Sequence, residues 1–534
     1  MTISRRHLIG GGLRFTLGCG LGRAAAAASV PAAAPPWMQA GRPTALAAQA
    51  VLLLSRAAEH GLVPADYGAD VLAAAVRNAA LQPLDEPAAA ALADRLDASL
   101  MRYLLHLHQG RIDPRQVHHD FDATRRPPFD PAQALRQAMA AGSLDAAVAA
   151  AVPALPQYAQ LRAMLGRYRA LVADPAWRTP MPALAARTTP VSRGASPAEA
   201  LAALPAPARA VLVQRLRALG DLPPEPPAPI GPPEDEVLVA ALRAFQARHG
   251  LAEDGVLGPA TRRQLEVPPA QRVRQIELSL ERLRWTPLLQ APRMVVVNIP
   301  EFRLRAYEVQ DGRIVLRHEM RVVVGRAMRH ETPVFDEPMR QVEFGPAWNV
   351  PLSIARAELV PRLRADPGYL DREGFEFVGP GGVVERVPTP ERLAAVAAGS
   401  WRLRQRPGPR NALGAIKFVF PNRDAIYLHH TPATGLFARE RRDFSHGCIR
   451  VEDPVALAAF VLHGLPGWDA AAIRDAMASE TSRTVVLAQP LPVLIAYGTA
   501  LVKQGRMHFF DDVYGHDRRL DAALQRASTA EAGP

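Results

Sequence analysis

In the stretch Ser445-His446-Gly447-Cys448-Ile449-Arg450 a cysteine directly follows a glycine, and in Ile426-Tyr427-Leu428-His429-His430 a histidine stands nineteen residues earlier. A thiol becomes a nucleophile when a base or cation holds it as thiolate and when backbone N–H groups receive the oxyanion that forms on the attacked carbonyl. Both are at hand. His429 ends an apolar, strand-like run, so a strand and a loop can bring it to Cys448, and Gly447 lets the backbone approach a tetrahedral intermediate closely. His430 is the second histidine within reach of the same role. A cysteine poised in this way is expected to react quickly with an alkylating reagent at neutral pH.

Other fates of these residues are weaker. A free cysteine is most often a small buried hydrophobe, but Ser-His-Gly on one side and Ile-Arg-Val on the other do not read as a core. His429, His430, His446 and Cys448 are zinc-type ligands, yet the paired spacings of a zinc site are missing. His106, His108, His118 and His119 lie earlier, with no carboxylate or thiol pattern to complete a site. No metal or cofactor is expected.

The chain has 534 residues, enough for about three domains at roughly 150 residues each, and its 49% hydrophobic content can build real cores. Residues 1–34 hold Arg5, Arg6, Arg14 and Arg23 with no acid, then the small run Ala24 to Ser29, which is the layout of an export signal. Ser4-Arg5-Arg6-His7-Leu8-Ile9 resembles a twin-arginine signal, so a periplasmic location is expected. Thr16-Leu17-Gly18-Cys19 is a candidate lipidation site, ranked below simple cleavage because Thr16 stands where an aliphatic residue is preferred. Cys448 is then the one thiol of the mature chain, and no internal disulfide can consume it. Removing the four arginines takes the formal charge from +11 to +7. The remaining basic residues are almost all scattered arginines, since only Lys417 and Lys503 are lysines. Nucleic acid is therefore not expected as a partner.

A helical domain is expected over 40–178, with stops at His60-Gly61 and Gln109-Gly110 and a start at Asp113-Pro114. Residues 185–268 contain the helix Ala210 to Leu219 closed by Gly220, a Pro-rich loop from Pro223 to Pro233, and a second helix through Leu242, Phe245 and Gln246. His249-Gly250-Leu251, Asp254-Gly255 and a last helix from Pro259-Ala260-Thr261 follow. From Met294 the texture turns to strands, with Asp311-Gly312 as a hairpin turn. The expected fold is multidomain α+β: helices first, a mainly β domain over 292–488, and a C-terminal extension over 489–534.

The His429 and Ser-His-Gly-Cys stretches resemble the signature of the L,D-transpeptidase (YkuD-type) catalytic domain. Val297-Asn298-Ile299-Pro300, Val322-Val323-Val324-Gly325-Arg326, Trp348-Asn349-Val350-Pro351, Asp366-Pro367-Gly368-Tyr369, Pro407-Gly408 with Asn411-Ala412-Leu413-Gly414, and Tyr514-Gly515-His516-Asp517 are similar to its large periplasmic subfamily. Within 185–268, the order of a helix ending in Phe245-Gln246, the Gly250-Leu251 corner, the Asp254-Gly255 turn and a last helix from Pro259-Ala260-Thr261 resembles a small helical peptidoglycan-binding module. The resemblance implies that Cys448 attacks the bond between the diamino acid and terminal D-Ala of a donor tetrapeptide stem. D-Ala leaves, and the thioester passes to an acceptor amine as a 3→3 cross-link, or to water. His429 would serve as base. Gly447 and Cys448 N–H groups, with His446 and Ser445 in support, would form the oxyanion hole. Tyr427, Trp348, Arg450 and His430 would line the substrate site, with Arg450 suited to a stem carboxylate. Residues 351–406 would cap the site as a lid, and carbapenems would inhibit. The same resemblance leaves open a carboxypeptidase, a lipoprotein-attaching enzyme, or a wall-binding protein without catalysis.

Overall fold

The computed structural model describes residues 37–119, 121, 128–182, 196–223, 234–286 and 291–531. The expected export signal, with Cys19, lies outside them, as does the Pro-rich run from 224 to 233. Among the described residues no helix is long and apolar enough to cross a membrane.

A small hairpin of β1 (Met38–Gln39) and β2 (Arg42–Pro43) leads into helices Ala45–Ser55, Ala69–Leu81, Glu86–Gln109, Pro131–Ala140 and Asp145–Ala151. On the longest of these, Leu92, Leu96, Leu100, Tyr103 and Leu107 recur every three or four residues and bury one stripe against Leu46, Leu54 and Leu72. The Asp85 carboxylate accepts the Ala88 N–H at its start, and Gly110 closes it at φ +86°. Asp113-Pro114, expected to start a helix, opens a single 3₁₀ turn over Pro114–Gln116. The histidines of this domain scatter. His106 bonds the Tyr67 hydroxyl, His108 stacks on Phe129 and His118 lies beside His516, and no metal-binding group occurs among the described residues.

The next unit packs helices Pro197–Ala202, Ala206–Leu219, Glu234–Arg248 and Pro259–Glu266 around Leu212, Leu216, Leu242, Phe245 and Leu265. Buried Gln246 builds its corner. The side-chain amide donates to Asp254 Oδ1 at 2.6 Å and Thr261 Oγ1 at 3.1 Å, while its Oε1 accepts the Gly255 N–H at 2.8 Å. Gly255 takes the positive φ the turn needs. Residues 269–285, left between two domains by sequence reading, form a helix that packs Ile276 and Leu280 against Tyr158, Leu161 and Leu165 of the helix Pro156–Leu171.

The β-rich domain contains β3 (Arg293–Asn298), β4 (Arg303–Gln310), β5 (Arg313–Gly325), β6 (Phe335–Phe344), β7 (Trp348–Asn349), β8 (Phe375–Val378), β9 (Val384–Glu385), β10 (Arg402–Gln405), β11 (Ile416–Val419), β12 (Leu428–His429), β13 (Asp443–Ser445), β14 (Ile449–Val451) and β15 (Arg483–Ala496). Nine of these strands form one sheet in the order β13-β5-β14-β12-β11-β6-β15-β3-β4. Long β5 turns its corner: residues 313–321 pair with β4, whereas Val322 and Val323 pair with β14, so the sheet curls back on itself. Val297, Leu304, Val324, Phe344, Phe418, Leu428 and Ile449 fill its core.

Two expected boundaries move. The break placed at 488/489 falls inside β15, which pairs with β6 and β3. Within β15 the register slips between Val486 and Leu491, which takes Pro490 out of the ladder, while Pro492 stays in register opposite Pro338 of β6. The capping insertion, expected to start at Pro351, includes β7, which pairs with β10 in a second sheet of order β7-β10-β8-β9 over its own core of Leu363, Leu370, Phe377, Val396 and Leu403. At the C-terminus β16 (Ala500–Lys503) and β17 (Arg506–Phe509) form a hairpin, and a helix runs over His516–Glu531.

Candidate active site

β12 is short, but its register fixes the site. It pairs in parallel with β14, His429 beside Arg450, and antiparallel with β11, His429 beside Lys417. β11 in turn pairs Lys417 with Glu343 of β6. Paired residues share a face of the sheet, so Glu343, Lys417, His429 and Arg450 make one row. The Ile449 N–H donates to the Tyr427 carbonyl at 3.0 Å, which sets Tyr427 and Cys448 together on that face one step earlier along the strands. The site is a patch of sheet where a thiol, a phenol, an imidazole, two cations and a carboxylate meet.

Cys448 is a free, partly exposed cysteine. Its thiol donates to the Ala425 carbonyl at 3.8 Å. Burial pushes the thiol above its ordinary value of 9.0, against the Tyr427 hydroxyl and N–H and the charges of Lys417 and Arg450, which favour thiolate. Tyr427 is in turn pushed up, first by burial and then by Cys448. Lys417 sits over the Tyr427 ring at 4.5 Å and pairs with Glu343 at 3.3 Å. These two charged residues were not singled out in sequence. The available signal was rarity, Lys417 being one of two lysines.

His429 is buried and its Nδ1 lies 2.6 Å from the His430 carbonyl. A carbonyl only accepts, so Nδ1 carries the proton and Nε2 keeps its lone pair. Burial, then the charge of Arg450, holds the imidazole neutral down to about 3. The resting state is therefore thiol and neutral imidazole, in contrast to the preformed thiolate expected from sequence. The rings of Tyr427 and His429 stand 5.7 Å apart. No hydrogen bond joins Cys448 to His429 among the described residues, an arrangement that tightens when substrate completes a site.

The other expected residues divide. His430 is turned to the approach of β11, where its Nδ1 accepts the Ala415 N–H at 3.1 Å. Ser445, buried, donates from Oγ to the Cys448 carbonyl at 2.5 Å and accepts the Gly447 N–H at 3.2 Å. The Gly447 N–H is thus engaged, and among the described residues it is the Cys448 N–H that has no partner. Gly447 stands at φ +111°, a conformation that needs glycine. Arg450 forms no ion pair among the described residues, and its Nε is buried without a partner; an uncompensated cation of this kind fits an incoming carboxylate. Trp348 lies in β7 and packs toward Phe375, 6.3 Å between ring centres, as part of the capping unit's core. His446 Nε2 meets Glu358 Oε1 of that unit at 2.7 Å, and its ring lies 4.6 Å from that of His330. Glu358 sits in the π-helical turn Ala355–Leu359.

Three segments of the chain match known families. Residues 292–470 match the family model described as "L,D-transpeptidase catalytic domain", residues 31–165 the one described as "Scaffold domain", and residues 205–265 the one described as "Putative peptidoglycan binding domain". A Haemophilus influenzae protein named "Putative L,D-transpeptidase" is 33% identical over 249 residues, which cover 47% of this chain and 49% of that protein. The chain thus spans about half the length of the curated relative it matches. A solved structure described as that of Bdellovibrio bacteriovorus Bd1075 is 14% identical, covering 44% of this chain and 55% of its own, and its TM-score of 0.17 carries no argument. The sheet that holds Cys448 and His429 belongs to an L,D-transpeptidase catalytic domain, and a scaffold domain and a peptidoglycan-binding domain precede it in the chain.

Proposed function

We propose that this protein is a cysteine L,D-transpeptidase of peptidoglycan, an acyltransferase that makes 3→3 cross-links. The observation that carries the reading is the shared face of Cys448, Tyr427, His429 and Arg450 within a matched catalytic domain. Arg450 and Lys417 hold a donor stem peptide by its carboxylate, with the carbonyl of the diamino acid over Cys448 Sγ. The thiol gives its proton to Nε2 of His429 as the sulfur attacks, and the oxyanion is received by the Cys448 N–H. Collapse of the intermediate breaks the C–N bond to D-Ala, and the imidazolium returns the proton to the departing amine. The neutral imidazole then takes a proton from the acceptor amine, which attacks the thioester, forms the amide and frees the thiol.

The capping unit favours an amine over water as acceptor. Its Glu358 grips His446, two residues from the nucleophile, so the closed unit shields the thioester from bulk solvent. The module over 205–265 keeps the enzyme on its polymeric substrate, and the segment 1–34 delivers it to the periplasm by a twin-arginine-type route. Incubating the protein with tetrapeptide-containing disaccharides and weighing the products tests the reading. A dimer two monomers in mass less one D-Ala is expected. Monomers that lose D-Ala without dimer would make it a carboxypeptidase, and unchanged substrate bound to the protein would leave a wall-binding function alone.

A further inference from the structure

Thr332 belongs to none of the motifs that mark the site, yet it reaches the peptide bond on which the oxyanion depends. It is fully buried, in the loop between β5 and β6. Its Oγ1 donates to the Gly447 carbonyl at 2.6 Å and accepts the Gly325 N–H at 2.9 Å. A hydroxyl has one proton, so with Gly325 supplying the other bond the direction of donation is settled. The Thr332 backbone is itself held. Its N–H donates to the Tyr514 hydroxyl at 3.4 Å, and that hydroxyl donates to the Gly325 carbonyl at 2.5 Å. Tyr514 is anchored in turn by its N–H on the Tyr497 hydroxyl at 2.9 Å. Gly325 must be glycine for this packing, because a Cβ there would run into the His330 carbonyl.

The consequence follows from peptide geometry. The Gly447 carbonyl and the Cys448 N–H belong to one planar trans unit and point in opposite directions. Fixing the oxygen fixes the aim of the N–H. The unit needs fixing, because Gly447 at φ +111° has no side chain to restrict it. Ser445 ties the flanking groups, the Gly447 N–H and the Cys448 carbonyl, which leaves the central unit to Thr332.

We propose that Thr332 is a positioning residue for acyl transfer. Through the Gly447 carbonyl it aims the Cys448 N–H at the developing oxyanion, and the Tyr514–Tyr497 pair supports it from the C-terminal segment. The inference rests on the reading of Cys448 as nucleophile. The test compares wild type, Thr332→Val and Thr332→Ser in the full chain. Four quantities are read: the acylation rate by a carbapenem, kcat and KM for a tetrapeptide donor, iodoacetamide alkylation of Cys448 at alkaline pH, and Tm. Thr332→Val is expected to lower acylation and kcat by about 10- to 100-fold with KM within about twofold, since only transition-state stabilisation is lost. Alkylation, which forms no oxyanion, should stay at the wild-type rate. Thr332→Ser, which keeps the hydroxyl, should recover most of the loss. Thr332→Val acylating like wild type would overturn the proposal, as would alkylation falling in step with acylation, or Ser behaving like Val. A wild type that takes up neither donor nor carbapenem would sink the reading of the site and this proposal with it.

Discussion

The resting thiol of Cys448 is un-ionised at neutral pH, and its alkylation rate should show this. Burial raises the thiol above 9.0 even with Tyr427, Lys417 and Arg450 opposing it. A thiol at 9.0 would be about 1% thiolate at pH 7, so Cys448 should lie below that fraction, and iodoacetamide should react at less than about a hundredth of its plateau rate. The perturbation is to remove the opposing groups singly. Lys417→Met and Tyr427→Phe should each move the rate curve further to alkaline pH, the hydrogen bond of Tyr427 standing ahead of the more distant Lys417 charge among the causes. The assay follows loss of the free thiol by mass spectrometry from pH 5 to 11. No inflection from His429 is expected near 6.5, because that ring stays neutral to about 3. A plateau reached below pH 7 would show a preformed thiolate–imidazolium pair and refute the reasoning.

Three further outcomes are expected. Ser445→Ala removes one hydroxyl that satisfies two backbone groups beside Cys448; at about 1–3 kcal/mol for each buried group left unpaired, chemical denaturation should show a loss of roughly 2–6 kcal/mol, and a loss under about 0.5 would contradict the role given to it. Glu301 is buried, which raises its carboxyl, but Arg305 and Lys503 outweigh this and hold it at about 2 against an ordinary 4.5. A depressed carboxylate stabilises the fold above the ordinary value and loses that contribution as pH falls toward 2, here roughly 3 kcal/mol; urea midpoints at pH 5 and pH 3 should differ less in Glu301→Gln than in wild type, and equal differences would exclude the effect. Glu358 is 53% exposed at its side chain and His446 26%, so Glu358→Gln should release the capping unit by less than about 1 kcal/mol, more weakly in high salt. Faster amide exchange in residues 352–365 at low ionic strength is the expected sign, and unchanged exchange would show that the contact does not hold the unit.

Cys448 and His429, the pair at the centre of the proposed site, can be picked out in sequence because their signals are local: a cysteine after a glycine, and a histidine at the end of an apolar run. What surrounds it comes from pairing between distant strands, which no local pattern encodes. Lys417 and Glu343 join the site through the registers of β11 with β12 and β6, across 74 residues of sequence in the case of their ion pair. Thr332 reaches Gly447 across 115 residues. Trp348 reads as a site aromatic, yet the edge strand it occupies turns it to the core of the capping unit. The helix Pro269–Trp285 escaped because it buries its polar residues too. Arg284, fully buried, bonds Glu281 at 2.7 Å and the Tyr158 hydroxyl at 3.1 Å, so its apolar stripe is interrupted where a core helix would normally show it.

The intact mass of the protein during turnover tests the central claim most directly. With a tetrapeptide donor and no acceptor, wild type should gain the mass of the donor less D-Ala. The adduct should map to the peptide containing Cys448, be cleaved by hydroxylamine as a thioester, and be absent from Cys448→Ala. Release of D-Ala by Cys448→Ala at the wild-type rate, or an adduct on any other residue, would contradict it.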